Sequence, residues 1–138
     1  MQISDHYRAF EGKLVIAVTN NEKARLICAE GREVEEIELI ALPETATEER
    51  SGVPGPNPNF DALKEQRLKQ LYTALGDRLQ DMLVHEGYDK AIVCVPEVNK
   101  NFFNEYLPTD VQKRISEVIP KNLASMDIPH IIRILLEG

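Results

Sequence analysis

Leu68-Lys69-Gln70-Leu71-Tyr72-Thr73-Ala74-Leu75-Gly76-Asp77-Arg78-Leu79-Gln80-Asp81-Met82-Leu83, followed closely by Ala91-Ile92-Val93-Cys94-Val95-Pro96, is the stretch that decides the fold. In its first part Leu68, Leu71, Tyr72, Leu75, Leu79, Met82 and Leu83 fall at i, i+3, i+4, i+7, i+11, i+14 and i+15. Lys69, Gln70, Thr73, Asp77, Arg78, Gln80 and Asp81 occupy positions between them. One apolar stripe backed by a wet face is an amphipathic helix, predicted here over residues 61–87. Gly87 stands where such a helix leaves through a left-handed residue. The apolar run 91–95 leaves no polar alternate face, so it predicts a strand covered on both sides, interior to an α/β sheet. Pro96 has no N–H for the ladder and ends it.

Upstream, Lys13–Thr19 is apolar almost throughout and reads as a strand, with Asn20-Asn21-Glu22 as its turn. Ala24–Ala29 is a second strand, and Glu30-Gly31-Arg32 a tight turn whose glycine can take positive φ. Glu33 to Leu42 is a third, in which Val34, Ile37, Leu39 and Ala41 alternate only in part. The phase slips at Glu35-Glu36, which predicts a bulge. Short turns make these three an antiparallel meander.

From 43 to 60 patterning vanishes, and Gly52, Pro54, Gly55, Pro56, Asn57 and Pro58 forbid both helix and central strand. Loops of this length in compact domains are functional or disordered. Asn59 or Asp61 is placed to cap the long helix. Downstream, Glu97 to Leu107 predicts a short helix packing Phe102, Phe103, Tyr106 and Leu107. Pro108-Thr109-Asp110 reads as a capped turn carrying Val111, and Ile115–Ile119 as a last strand closed by Pro120. Asp127-Ile128-Pro129 starts a final helix with Ile131, Ile132, Leu135 and Leu136 as its stripe. The expected order is β-β-β-α-β-α-β-α, a mixed five-stranded α/β sheet in a single domain over residues 1–138.

Composition narrows the classes. At 138 residues, 43% hydrophobic and 28% charged, the chain reads as one ordinary globular domain. No run approaches the roughly 20 apolar residues that span a bilayer. Met1-Gln2-Ile3-Ser4-Asp5-His6 lacks the layout of a secretion signal, so no membrane partner and a cytoplasmic setting are expected. A net charge of −7 argues against nucleic-acid binding as a property of the whole surface, and leaves room for a local patch. Glu30, Glu33, Glu35, Glu36, Glu38, Glu44, Glu48 and Glu49 face Arg32 alone within 30–49, the mark of a solvated strand face. Cys28 and Cys94 lie in apolar runs without metal or redox spacing and read as buried thiols.

Ligands of such sheets favour the carboxyl ends of the strands. Those ends offer Thr19, Asn20 and Asn21 after the first strand and Glu97, Asn99 and Lys100 after the fourth; Asn20, Glu97, Asn99 and Lys100 are the binding candidates. A ribonuclease H-like nuclease shares the strand order but needs several carboxylates converging on its metal ions. Thr19-Asn20 stands where the first acid is required, so no metal site is predicted. His6, His85 and His130 have no zinc-ligand spacing. Phosphate-loop, dinucleotide and nucleophile-elbow motifs are missing as well. No catalytic residue and no cofactor is assigned, and the reading leans away from an enzyme.

Four segments together carry a resemblance: Lys90-Ala91-Ile92-Val93-Cys94-Val95-Pro96, Phe103-Asn104-Glu105-Tyr106-Leu107-Pro108, Val111-Gln112-Lys113-Arg114-Ile115 and Ile119-Pro120-Lys121-Asn122-Leu123. They resemble the bacterial family named "protein required for attachment to host cells", whose members show a strand ending in a proline turn, a short helix, a basic segment and a Lys-Asp-Leu-Thr-like sequence. Here the last reads Lys121-Asn122-Leu123-Ala124, departing at two positions, while Arg50-Ser51-Gly52 matches the family's Arg/Gly loop. That family is similar to the central domain of archaeo-eukaryotic peptide release factors and of Pelota, which implies a ribonuclease H-like fold of the translation-component type.

Release factors carry Gly-Gly-Gln in the loop before the long helix. Here that loop is Gly52-Val53-Pro54-Gly55-Pro56-Asn57-Pro58-Asn59, with neither the glycine pair nor the glutamine. The resemblance therefore implies a non-catalytic binding or adaptor domain with the ribosome or tRNA as partner. Arg50, Gly52, Gly55, Asn57 and Asn59 are its loop candidates. One alternative is a peptidyl-tRNA or RNA hydrolase acting through loop 50–59. The other is a factor that binds a protein partner and supports host attachment indirectly.

Overall fold

The computed structural model describes residues 1–42, 60–101 and 103–137. Five strands form one sheet: β1 (Phe10–Thr19), β2 (Lys23–Gly31), β3 (Glu33–Ala41), β4 (Lys90–Cys94) and β5 (Ile115–Ile119). Among the described residues three helices accompany them: α1 (Phe60–His85), α2 (Thr109–Arg114) and α3 (Ile128–Glu137). The sheet order is β3-β2-β1-β4-β5. The meander β1-β2-β3 is antiparallel, and β4 and β5 are added in parallel beside β1. This is the mixed five-stranded α/β sheet expected from the sequence, with β4 between two neighbours.

Both faces are covered, and the strand alternation assigns the side chains. Val15, Ala17, Ala24, Leu26, Ala91 and Val93 meet α1 through Leu71, Tyr72, Leu75, Leu79 and Met82, all fully buried. Leu14, Ile16, Val18, Ile27, Ile92 and Cys94 point the other way, toward Ile131 and Ile132 of α3. Burying a side chain of this size stabilises by roughly 1.5–3 kcal/mol, so the stripe on α1 outweighs its helix propensity. The helix stops at Gly87, whose φ of 82° lets Tyr88 N–H reach back to Met82 O at 3.2 Å. At the other end of the chain, Asp127 caps α3 by accepting the His130 amide at 3.0 Å, as the sequence predicts.

The bulge in β3 is present, and it changes which residues face inward. Leu26 pairs with Glu38 and Ile27 with Glu36, so Ile37 is the extra residue. Val34 and Glu36 lie on the α3 side, and Glu38, Ile40 and Leu42 on the α1 side. Ile37 and Leu39, from the partly alternating pattern of the sequence, are 41% and 52% exposed. The charge partners fit this phase: Arg25 donates to Glu36 on one face, and Arg78 to Glu38 at 3.0 Å on the other.

Three other expectations are corrected. Residues 97–107 are not one helix but two 3-10 turns, Glu97–Asn99 and Phe103–Tyr106. The helix of this crossover is α2, where the sequence suggested only a capped turn. Pro108, with φ −57° and no N–H, cannot continue the preceding turn but suits the residue before a helix. Gln112 then donates to the carbonyls of Asn104 and Leu107 at 3.0 and 2.9 Å. Cys28, expected buried, is half-buried, whereas Cys94 is fully enclosed.

The contact of α1 with this crossover sets a sharp size limit. A Cβ built on Gly76 would lie 3.0 Å from Pro108 Cδ and 3.1 Å from both Leu107 Cδ2 and Tyr106 O. Alanine in a helix interior is worth up to about 1 kcal/mol over glycine, but here it must push a backbone carbonyl aside. Gly76→Ala is expected to lower stability by about 1–2 kcal/mol in chemical denaturation, as overpacked sites do. A gain in stability would show that the 106–108 turn yields freely.

Candidate functional site at the carboxyl ends of β1 and β4

Parallel strands β1 and β4 end side by side, so Thr19 and the turn after Cys94 meet. Thr19 is fully buried and donates its hydroxyl proton to Cys94 O at 3.0 Å. With that proton committed, the Tyr72 hydroxyl, 3.4 Å away, is the donor to Thr19 Oγ1. Asn99, 2% exposed, turns its amide inward and donates to Tyr72 Oη at 3.1 Å and to Asn21 Oδ1 at 2.9 Å. A buried tyrosine needs a partner for its polar end, and Thr19 and Asn99 serve here. Its ring also packs on Phe103, with centroids 5.8 Å apart.

Asn20 does a separate job. Its Oδ1 accepts the amides of Glu22 and Lys23, both at 2.7 Å, fixing the tight turn into β2. The two asparagines of the sequence-derived site are therefore engaged internally and hold the rim in shape. Glu97 and Lys100 remain exposed on it, with Val98 between them, 81% exposed. Asn99 N–H donates to Pro96 O at 2.8 Å, which closes the turn that presents them.

The arrangement is suited to holding a surface rather than moving protons. Burial pushes the Tyr72 phenol above its ordinary value, opposed by the amide proton that Asn99 donates to it. Neutral at physiological pH, it offers neither base nor nucleophile. The Cys94 thiol beneath is pushed up to about 12, mainly by burial, and is a structural thiol. Among the described residues no three His, Cys, Asp or Glu converge as a metal site.

The loop candidates Arg50, Gly52, Gly55, Asn57 and Asn59 lie outside the described residues. Along α1 there is a surface groove of about 710 Å³, lined by Lys69, Gln70, Thr73, Asp77 and Tyr106 among others. Lys69 Nζ stands 6.0 Å from the centre of the Tyr106 ring. Sequence reasoning missed Tyr72 as a member of the site because it sits on the apolar stripe of α1. Its hydroxyl, facing a strand that ends in Thr19, was the available signal.

No family profile matches this chain, and no curated protein matches it in sequence. Among described residues no helix is long and apolar enough to cross a membrane. Solved structures do offer a likeness. The crystal structure of archaeal translation termination factor, aRF1, matches with a TM-score of 0.55 and 18% identity, over 78% of this chain and 29% of that one. The match thus covers under a third of the termination factor's length. What the two proteins share at this level is the fold, a mixed five-stranded sheet flanked by helices.

Proposed function

We propose that this chain is a binding or adaptor domain that works with the translation apparatus, contacting the ribosome or tRNA, and that residues 1–138 form one such domain. The observation that carries the reading is the likeness of its fold to a domain-sized part of a translation termination factor. Kinship with the bacterial family "protein required for attachment to host cells" belongs to the same proposal, and so does a cytoplasmic setting. The contact surface of this reading is the rim Asn20, Glu97 and Lys100, shaped from beneath by Asn99. The loop residues Arg50, Gly52, Gly55, Asn57 and Asn59 are further contact candidates of the same reading. The buried cluster at the strand ends fits a surface-holding role, since it supplies rigidity without a proton-transfer pair.

Sedimentation with purified ribosomes over a salt series tests this. Co-pelleting is expected at about 50 mM salt and release by about 300 mM, because contacts to phosphate are screened. Lys100→Glu is expected to weaken the association severalfold. Failure to pellet at the lowest salt overturns the reading.

A further inference from the structure

The two edges of the sheet are treated differently. The β3 edge is guarded: Met1–Ile3 lies along its start, with Val34 N–H donating to Met1 O and Ile3 N–H to Arg32 O, both at 2.8 Å. Further along, β3 is bulged at Ile37 and carries Glu33, Glu35, Glu36 and Glu38. Bulges, charges and a covering segment are the usual ways of keeping an edge from pairing. On β5 the register with β4 also shifts, at Ser116, but no strand pairs with its outer edge among the described residues, and Ser116, Glu117 and Val118 are exposed.

Beside that edge runs a groove of about 450 Å³, lined by Lys100, Phe103, Gln112, Ile115, Val118 and Pro120 among others. Its apolar side chains differ in depth. Phe103 is buried beneath, Ile115 is half-buried, and Val118 is 37% exposed. Lys100 lines the groove, while Lys113 and Lys121, both exposed, immediately follow Gln112 and Pro120 in the chain. The acid of the strand, Glu117, pairs with Ile92 and raises the Cys94 thiol, so it belongs to the opposite face. Glu105, next to Asn104 of the groove wall, is exposed as well.

We propose that the β5 edge and its groove form a docking site for an extended acidic–apolar peptide of a partner protein, which adds a sixth strand to the sheet. Main-chain bonds to β5 supply the pairing, and alternate apolar side chains enter beside Ile115 and Val118. Glutamates or aspartates at the intervening positions meet Lys100, Lys113 and Lys121. A second copy of this chain is disfavoured as occupant, since its own acidic strand β3 is bulged and already partly covered. This surface is separate from the rim assigned to the translation reading except for Lys100, and it does not depend on that reading.

The test uses the full chain, isotopically labelled, titrated at neutral pH with a ten-residue peptide of alternating Glu and Val. A Lys–Val peptide and oligouridylate serve as comparisons. Saturable shifts centred on residues 115–119, with slowed amide exchange there, are the expected result. Affinity is expected to fall at least tenfold in Lys113→Glu/Lys121→Glu and in Val118→Asp, with thermal unfolding checking that each variant remains folded. Should Val118→Asp fail to fold, the double lysine variant, which touches no buried position, carries the comparison. Equal binding of the Lys–Val peptide, shifts centred elsewhere, or displacement by oligouridylate would overturn the proposal. So would concentration-dependent self-association that protects the same amides without peptide.

Discussion

Tyr72→Ala is expected to destabilise the protein by about 4–5 kcal/mol, which is much of the net stability of a domain this size. Two losses combine. Removing the ring empties a fully buried position between α1 and the sheet, against Phe103. Removing the hydroxyl also leaves the Thr19 oxygen and one proton of the Asn99 amide without the partner they now have. Tyr72→Phe separates the terms: the ring stays, and about 1–2 kcal/mol should be lost for the polar half alone. Urea unfolding of both variants, read as a change in midpoint at constant slope, measures the difference. If Tyr72→Phe cost nothing, the buried cluster would contribute nothing to the rigidity of the rim.

Alkaline solution is expected to loosen the fold through Cys94. Its thiol rises from an ordinary 9.0 to about 12 because the thiolate cannot be solvated inside the sheet. A group whose folded value is raised contributes stability that is fully present below the unfolded value. That stability is lost as pH climbs through the folded value. Stability should therefore hold to about pH 9 and fall from there toward pH 12, by a total on the order of 4 kcal/mol for this one group. Burial also raises Tyr72 and Tyr88, so their losses begin above their ordinary 10.0 and steepen the same decline. Cys94→Val removes the titrating group at nearly constant volume. Its denaturation midpoint should stay level between pH 9 and 10, where the parent already declines. A parent and variant that decline together would place the alkaline sensitivity elsewhere.

These two residues also mark the boundary between what could be read in advance and what could not. Cys94 was legible: it sits in an unbroken apolar run, and such a run has nowhere to go but the middle of a covered sheet. The stripe on α1, the turn glycine Gly87, the cap at Asp127 and the meander followed for similar reasons. Each depends on neighbours within a turn or two of chain, where period and propensity act directly. Tyr72 was half legible, since its position on the stripe set its burial but not the partners of its hydroxyl. Those come from Thr19 and Asn99, 53 residues before it and 27 after it in the chain.

Local pattern misled where distant contacts decided the outcome. Ile37 and Leu39 read as part of an alternating apolar pattern in β3, yet both are exposed, and Ile40 and Leu42 are the residues that pack on the α1 side. Arg78 of α1 and Arg25 of β2 each hold a glutamate on opposite faces and fit the shifted phase. Residues 97–107 read as a helix, yet Asn99 turns inward to a buried tyrosine and Pro108 restarts the chain as α2. The sequence by itself determined the five strands, the first and last helices and the burial of the central strand, because those follow from hydrophobic spacing. Only the tertiary structure decided the phase of the edge strand, the shape of the β4–β5 crossover and the hydrogen-bonded cluster at the strand ends, because each depends on groups brought together from far apart in the chain.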